Sequence, residues 1–281
     1  MLIRYGYDIT LTCTRPTPMI SLLALHDDRR PDVHAPEQIV TTPPVGIRTY
    51  RDLYGNTCRR FVAPAGDLAL WGDGTVEDDG APDPVDWTAD EAPVADLPDD
   101  TLVYLLGSRY CETDLLSQTA WDMFGTVPQG WGRVQAVCNF VNEHIAFDYL
   151  SARATRTAHE TFHERVGVCR DYAHLAITLC RCMNIPARYV NGYLGDIGVP
   201  ILDPMDFSAW IEVYIGGRWM TFDPRNNVPR IGRIVVARGR DAADVPLVNS
   251  FGAHTLKAFR VWTYDVTDFG AGNPEPPPQG P

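Results

Sequence analysis

Gly167-Val168-Cys169-Arg170-Asp171 sets a thiol at the entry of a helical stretch, just behind a glycine that lets the backbone bend closely. The free N–H groups and dipole of a helix start favour an anion, so this sulfur is expected to have a lowered pKa and a raised thiolate fraction. That is the position of a cysteine nucleophile. The competing reading is a buried, inert thiol, the usual state of a free cysteine. A cysteine acting on amides also needs a base to hold its proton and an acid group to orient that base.

The dipeptide Gly216-Gly217 offers a test for such partners. If it makes a two-residue hairpin turn, Ile215 faces Arg218 and Trp210 faces Asp223, and Ser208 lies on the same sheet face as Asp223, one diagonal away. Diagonal neighbours are about 7 to 8 Å apart at Cα, a gap that an imidazole bridges and a hydroxymethyl group does not. The geometry calls for histidine at position 208, where the sequence has serine.

The elements that must hold these residues follow from periodicity. Leu2 to Leu11 alternates, Met19 to Leu25 is apolar, and Gly46 to Leu53 with Cys58 to Val62 flank the turn sequence Tyr54-Gly55-Asn56-Thr57, an all-β pattern over residues 1–71. Residues 72–100, rich in Asp, Gly and Pro, read as a solvated connection. From there the period becomes helical. One helix starts at Thr113 or Asp114 and runs to about Phe124. A second carries Val134, Val137, Cys138, Val141 and Ile145, and a third runs from Cys169 with Leu175, Leu179 and Met183 on one face. Strands at 187–194, 209–215 and 218–222 follow, so residues 101–265 form an α+β unit of helices followed by antiparallel strands. The Pro-rich tail, 266–281, is expected to be disordered.

Composition bounds the function. With 281 residues, 45% apolar and 21% charged, the chain has the balance of a globular protein and the length for two domains. No apolar run is long enough to cross a membrane as a helix, and the N-terminus lacks the pattern of a secretion signal, so a cytoplasmic location and no membrane partner are expected. Seven scattered cysteines give no disulfide framework. Eleven of the acidic residues behind the net charge of −12 sit between Asp73 and Asp100 with no Lys or Arg among them, and nucleic acid is not an expected partner.

Several blocks in order resemble bacterial transglutaminase-like proteins. They are residues 167–176 (GVCRDYAHLA), 184–194 (NIPARYVNGYL), 206–214 (DFSAWIEVY) and 219–223 (WMTFD), with further likeness at 108–114, 229–233 and 237–244. The resemblance covers roughly residues 100–265. It implies a papain-like transglutaminase core of helices packed on an antiparallel sheet, preceded by a small β-sandwich domain. It also implies a Cys-His-Asp triad in a transglutaminase, peptidase or amidase. Carried over, Cys169 matches the nucleophile, Asp223 the orienting carboxylate, and Ser208 falls where the histidine belongs. An aromatic that helps the oxyanion commonly precedes the nucleophile in this superfamily; Trp131, Phe147 and Tyr149 lie there, with Tyr149 the candidate.

The resemblance therefore implies a cysteine hydrolase or acyltransferase that cleaves or transfers peptide or glutamine-type amides of a peptide or protein substrate through a Cys169 thioester, impaired by Ser208. The alternative is a catalytically silent protein that binds peptide in the same cleft. A substitute base is a third possibility, but His174, five residues after Cys169, is turned about 140° away on a helix and reads as structural; His159 and His163 remain open. No cofactor is expected. A zinc set of Cys169, His174, Cys180 and Cys182 is poorly spaced, since residues two apart on a helix diverge, and no loop has calcium-ligand spacing. Arg230, Arg233, Arg238 and Arg240 form a basic cluster that either holds an acidic substrate or pairs with Asp241 and Asp244. Oligomeric state is left open.

Overall fold

Alternation at Ile3, Tyr5, Tyr7, Ile9, Leu11 and Cys13 makes a first strand, β1 (Leu2–Cys13), with one face fully buried. The computed structural model describes residues 1–201 and 205–268. After β1 come β2 (Thr17–Ser21), β3 (Val33–Thr42), β4 (Arg48–Arg51), β5 (Thr57–Ala63) and β6 (Gly66–Glu77). The turn expected at Tyr54 to Thr57 is formed instead by residues 52–56, which join β4 to β5 with Arg51 opposite Thr57. Near the other end of the described chain, β13 (Val248–Ser250) and β14 (His254–Asp265) return to these strands. Two antiparallel sheets result, ordered β14-β1-β6-β3 and β13-β2-β5-β4. Ile9, Met19, Phe61 and Leu68 from both sheets share one apolar core, as a sandwich requires.

The structure divides the chain differently from the expectation in two places. Residues 72–77 complete β6 instead of opening the connection, because this stretch goes on pairing with β1, through Gly72 opposite Tyr7 and Val76 opposite Ile3. And β13 and β14, both expected within the 101–265 unit, leave it: β13 pairs with β2, and β14 pairs along β1 from Asp265 opposite Ile3 to His254 opposite Cys13. The acidic connection is also less solvated than its composition suggests: Asp83, Asp86 and Glu91 form ion pairs with Arg233, Arg218 and Arg133. Of the expected disordered tail, Val266–Asp268 forms a 3-10 turn and residues 269–281 lie outside the described residues.

The α+β unit has the expected order with additions. Helices α1 (Thr113–Phe124), α2 (Trp131–His144), α3 (Ala158–Glu164) and α4 (Cys169–Cys182) precede strands β9 (Ala187–Leu194), β10 (Ser208–Ile215), β11 (Arg218–Phe222) and β12 (Arg233–Gly239). Ala146–Phe147 (β7) and Val166–Gly167 (β8) form a short parallel pair just ahead of α4. Every α4 residue from Asp171 to Cys182 is buried, because α1, α2 and α3 flank it and β9 and β10 lie beneath it. Its one buried arginine, Arg181, donates to the carbonyls of Ala187, Leu106 and Arg240. The antiparallel sheet is ordered β11-β10-β9-β12.

Candidate active site

Cys169 is the first residue of α4, and the turn that delivers it is built by Asp171. The Asp171 carboxylate accepts from the Val168 N–H at 2.9 Å and from Arg156 at 3.0 Å while fully buried. Gly167 is needed for this approach, since a Cβ there would come within 2.7 Å of the Asp171 side chain. The N–H groups of Ala209 and Arg170 both act on the Cys169 sulfur.

Their effect is outweighed. Burial pushes the Cys169 thiol up to about 11; the Ala209 and Arg170 N–H groups and the Arg225 charge pull it down, and Asp206 adds to the rise. The lowered pKa expected of a helix start is therefore not found, because desolvation of a thiolate in this half-buried pocket exceeds what two N–H groups and the Arg225 charge return.

Over its paired residues the hairpin has the register expected of it, though the ladder ends at Ile211 and Phe222 and does not include Trp210 and Asp223. Ile215 opposes Arg218 and Ile211 opposes Phe222, across Gly216 (φ 60°) and Gly217 (φ 74°), both in the left-handed region that a two-residue turn of this kind demands. Ser208 opens β10 opposite Gly192 of β9. It is 8% exposed, and its hydroxyl oxygen is buried with no hydrogen-bond partner among the described residues.

Asp223 lies immediately beyond β11 and is buried. Its Oδ1 accepts the N–H groups of Arg225 (3.1 Å) and Asn226 (2.9 Å). Its Oδ2 accepts Asn226 Nδ2 and Arg233 Nη2, each at 2.8 Å. Burial alone would raise its pKa, but the Arg233 charge and the Asn226 hydrogen bonds hold it below the ordinary carboxylate value. Arg233 lies 5.0 Å over the Trp210 ring and extends to Asp83, so the acidic connection helps to anchor this corner.

Tyr149 is 45% exposed and meets the Phe147 ring edge-to-face at 4.8 Å, and burial raises its pKa while the Arg225 charge lowers it. Arg225 stacks over Phe147 at 4.1 Å, giving the site an aromatic and cationic wall. Trp131 is instead a buried core residue packed on Phe222.

The remaining histidines go elsewhere. His174 is fully buried between Tyr110 and Tyr189, and its Nε2 accepts the Ala242 N–H at 3.1 Å. His159 and His163 contact one another on α3. Cys180 and Cys182 are buried, the latter directed at the Thr113 carbonyl. The four arginines are paired, mostly with partners other than those expected. Arg230 bonds Asp196, Arg233 bonds Asp83 and Asp223, and Arg238 bonds Glu212; only Arg240 takes the expected Asp244.

Sequence reasoning passed over Asp206, Arg225 and Asn226 as site residues. The signal for the last two was present in Asp223-Pro224-Arg225-Asn226, an aspartate at a strand end whose carboxylate can cap the following N–H groups.

A family model of the transglutaminase-like superfamily matches residues 118–224, a span that contains Cys169, Ser208 and Asp223. A solved structure, that of a putative cysteine protease from Cytophaga hutchinsonii, is 32% identical, with a TM-score of 0.84 over 95% of this chain and 91% of that one. An uncharacterised protein of Mycobacterium leprae is 40% identical over 90 residues, 31% of this chain and 32% of its own. One of Mycobacterium tuberculosis is 40% identical over 112 residues, 36% of each chain. The match thus spans about a third of the length of these mycobacterial relatives.

Proposed function

This chain belongs to the transglutaminase-like superfamily, and from that premise we propose that it is a cysteine hydrolase or acyltransferase for peptide or glutamine-type amides, working through a thioester on Cys169 and impaired by Ser208. The observation that carries the reading is the thiol at the head of α4, with the N–H of Ala209 acting on it and Ser208 as the preceding residue.

In the proposed chemistry the sulfur attacks the amide carbonyl carbon, the C–N bond breaks, and water or an amine then displaces the sulfur from the thioester. The amine must leave with a proton. A histidine would take that proton from the thiol and return it to the amine. Serine does neither near neutral pH, which forfeits a contribution of about 10² to 10⁴ in rate.

The Ser208→His variant tests this reading. Amide hydrolysis or amine transfer on a glutamine-containing peptide, and labelling of Cys169 by a thiol-directed probe, should both rise by about 10² or more. A variant that folds yet leaves Cys169 unreactive and the peptide intact rules the impaired-enzyme reading out. A second reading, a silent peptide-binding protein, is favoured by the engagement of both Asp223 oxygens with Arg225, Asn226 and Arg233. It is supported if the unaltered chain and Ser208→His bind peptide equally and neither turns it over.

A further inference from the structure

Between the two N-terminal sheets lies a cavity of about 250 Å³ lined by Tyr5, His26, Asp27, Arg30, Glu37 and Arg59, among others. None of these belongs to the cysteine site. Its floor is an ion pair in which Arg59 donates to Glu37 at 2.6 Å, with the two side chains only 10% and 9% exposed. The pair is incomplete. Among the described residues Glu37 Oε1 and Arg59 Nη1 are buried without a hydrogen-bond partner, and so is the hydroxyl of Tyr5, a residue 1% exposed; the Tyr7 hydroxyl of β1 acts on the pair from one side.

The space is kept open by the sheet beneath it. Gly72 and Gly74 of β6 receive the rings of Tyr7 and Tyr5, and a Cβ at either position would come within 2.5 Å or 2.6 Å of those side chains. The tyrosines therefore lie against β6 rather than filling the gap between the sheets.

A polar cavity with an unused acceptor and two unused hydrogen-bonding groups is costly unless something occupies it. A lone anion would serve Arg59 and repel Glu37; a lone cation would do the reverse. The mouth repeats the arrangement, with Arg30 and Asp27 one of each sign. The volume, below the usual 300 to 1,000 Å³ or so of ligand pockets, restricts the occupant to a small molecule. We propose that this cavity binds a small zwitterion of α-amino-acid size, its carboxylate on Arg59 Nη1 and the Tyr5 hydroxyl and its ammonium on Glu37 Oε1.

The inference is independent of the amide chemistry proposed above, and the Cys169→Ala chain serves equally well for the measurement. Calorimetric titration and thermal unfolding with glycine, L-alanine and L-glutamine are expected to give saturable binding and a rise in Tm for at least one of them. Its N-acetyl and methyl-ester forms, each lacking one charge, should bind at least about tenfold more weakly. Glu37→Gln, which keeps the shape of the floor, should abolish binding, and Arg30→Ala at the exposed mouth, where folding is not at stake, should weaken it. No saturable binding by any of the three would mean that the cavity holds water only and overturns the proposal. So would equal binding of the blocked forms, or affinity unchanged in both variants.

Discussion

At Cys169 the competing influences on one sulfur can be ranked, and burial prevails over the helix start. A thiol four units below its pKa at pH 7 is about one part in 10⁴ thiolate. Alkylation of Cys169 by iodoacetamide should therefore climb about tenfold per pH unit from pH 7 towards 11; a plateau below pH 8 would show that the thiolate is stabilised after all. With Ser208→His an inflection should appear near neutrality. That rescue meets an obstacle at Asp223, whose oxygens already accept from Arg225, Asn226 and Arg233, so an incoming imidazole must displace a donor. The double variant Ser208→His/Asn226→Ala, which frees one position on Oδ2, is expected to exceed the single variant in peptide turnover. Equal rates would mean that Asn226 does not compete. The place of Cys169 at the head of α4 and the β10–β11 pairing were legible because each follows a local signal, a helix start or a Gly-Gly turn. The thiol pKa was not, because it depends on how much protein surrounds the sulfur, and residues far apart in the chain decide that. Asp206 and Arg225 lie in irregular segments, where no periodicity aims a side chain.

Among the elements, β9, β10 and β12 are tied together by a charge cluster as well as by backbone pairing. Glu212 of β10 accepts from Arg188 of β9 at 2.6 Å and from Arg238 of β12 at 2.8 Å, and is itself 6% exposed. Glu212→Ala leaves two mostly buried guanidinium groups facing one another. It should cost about 3 to 5 kcal/mol in urea unfolding, with a change below about 1 kcal/mol marking the cluster as dispensable. Helix α3 shows what short elements conceal. Seven residues rich in His and Glu give no apolar face to read, yet the Thr157 hydroxyl accepts the Glu160 N–H and the Glu160 carboxylate accepts the Thr157 N–H, a capping box written in the sequence as Thr-x-x-Glu. Strand β12 was masked by its arginines, although Ile234, Val235 and Val236 form an apolar run at its centre. The β10–β11 hairpin was readable to the residue because its turn is two residues long. Strands β3 and β14 were not, because their partners lie far away in sequence and nothing local encodes the pairing.

Across the whole molecule, stability should depend on pH through a histidine remote from the thiol. His174 is buried, and desolvation, followed by the charges of Arg170 and Arg181, holds its pKa well below 6.5. Its folded pKa lies beneath the unfolded one, so the unfolded chain takes up the proton first and stability falls as pH drops below about 6.5, by up to about 1.4 kcal/mol per unit. His174→Gln retains an acceptor for the Ala242 N–H and should flatten the decline in Tm between pH 7 and 5; an unchanged slope assigns it to other groups. The return of β14 to β1 makes a second prediction. Ending the chain after Gly252 removes the strand whose Trp262 packs over Gly6 and donates to Asp73, and exposes the edge of β1. The shortened chain should lose solubility and its cooperative transition, whereas a Tm within a few degrees of the full chain would show that β14 is an ornament. That closure also constrains the order of events during synthesis. Ile3 meets Asp265 about 260 residues later, so β1 waits, with one long edge unpaired, until the whole cysteine-bearing unit has been translated. Each sheet of the sandwich takes one strand, β13 or β14, from beyond that unit, so neither is complete until the unit has been made.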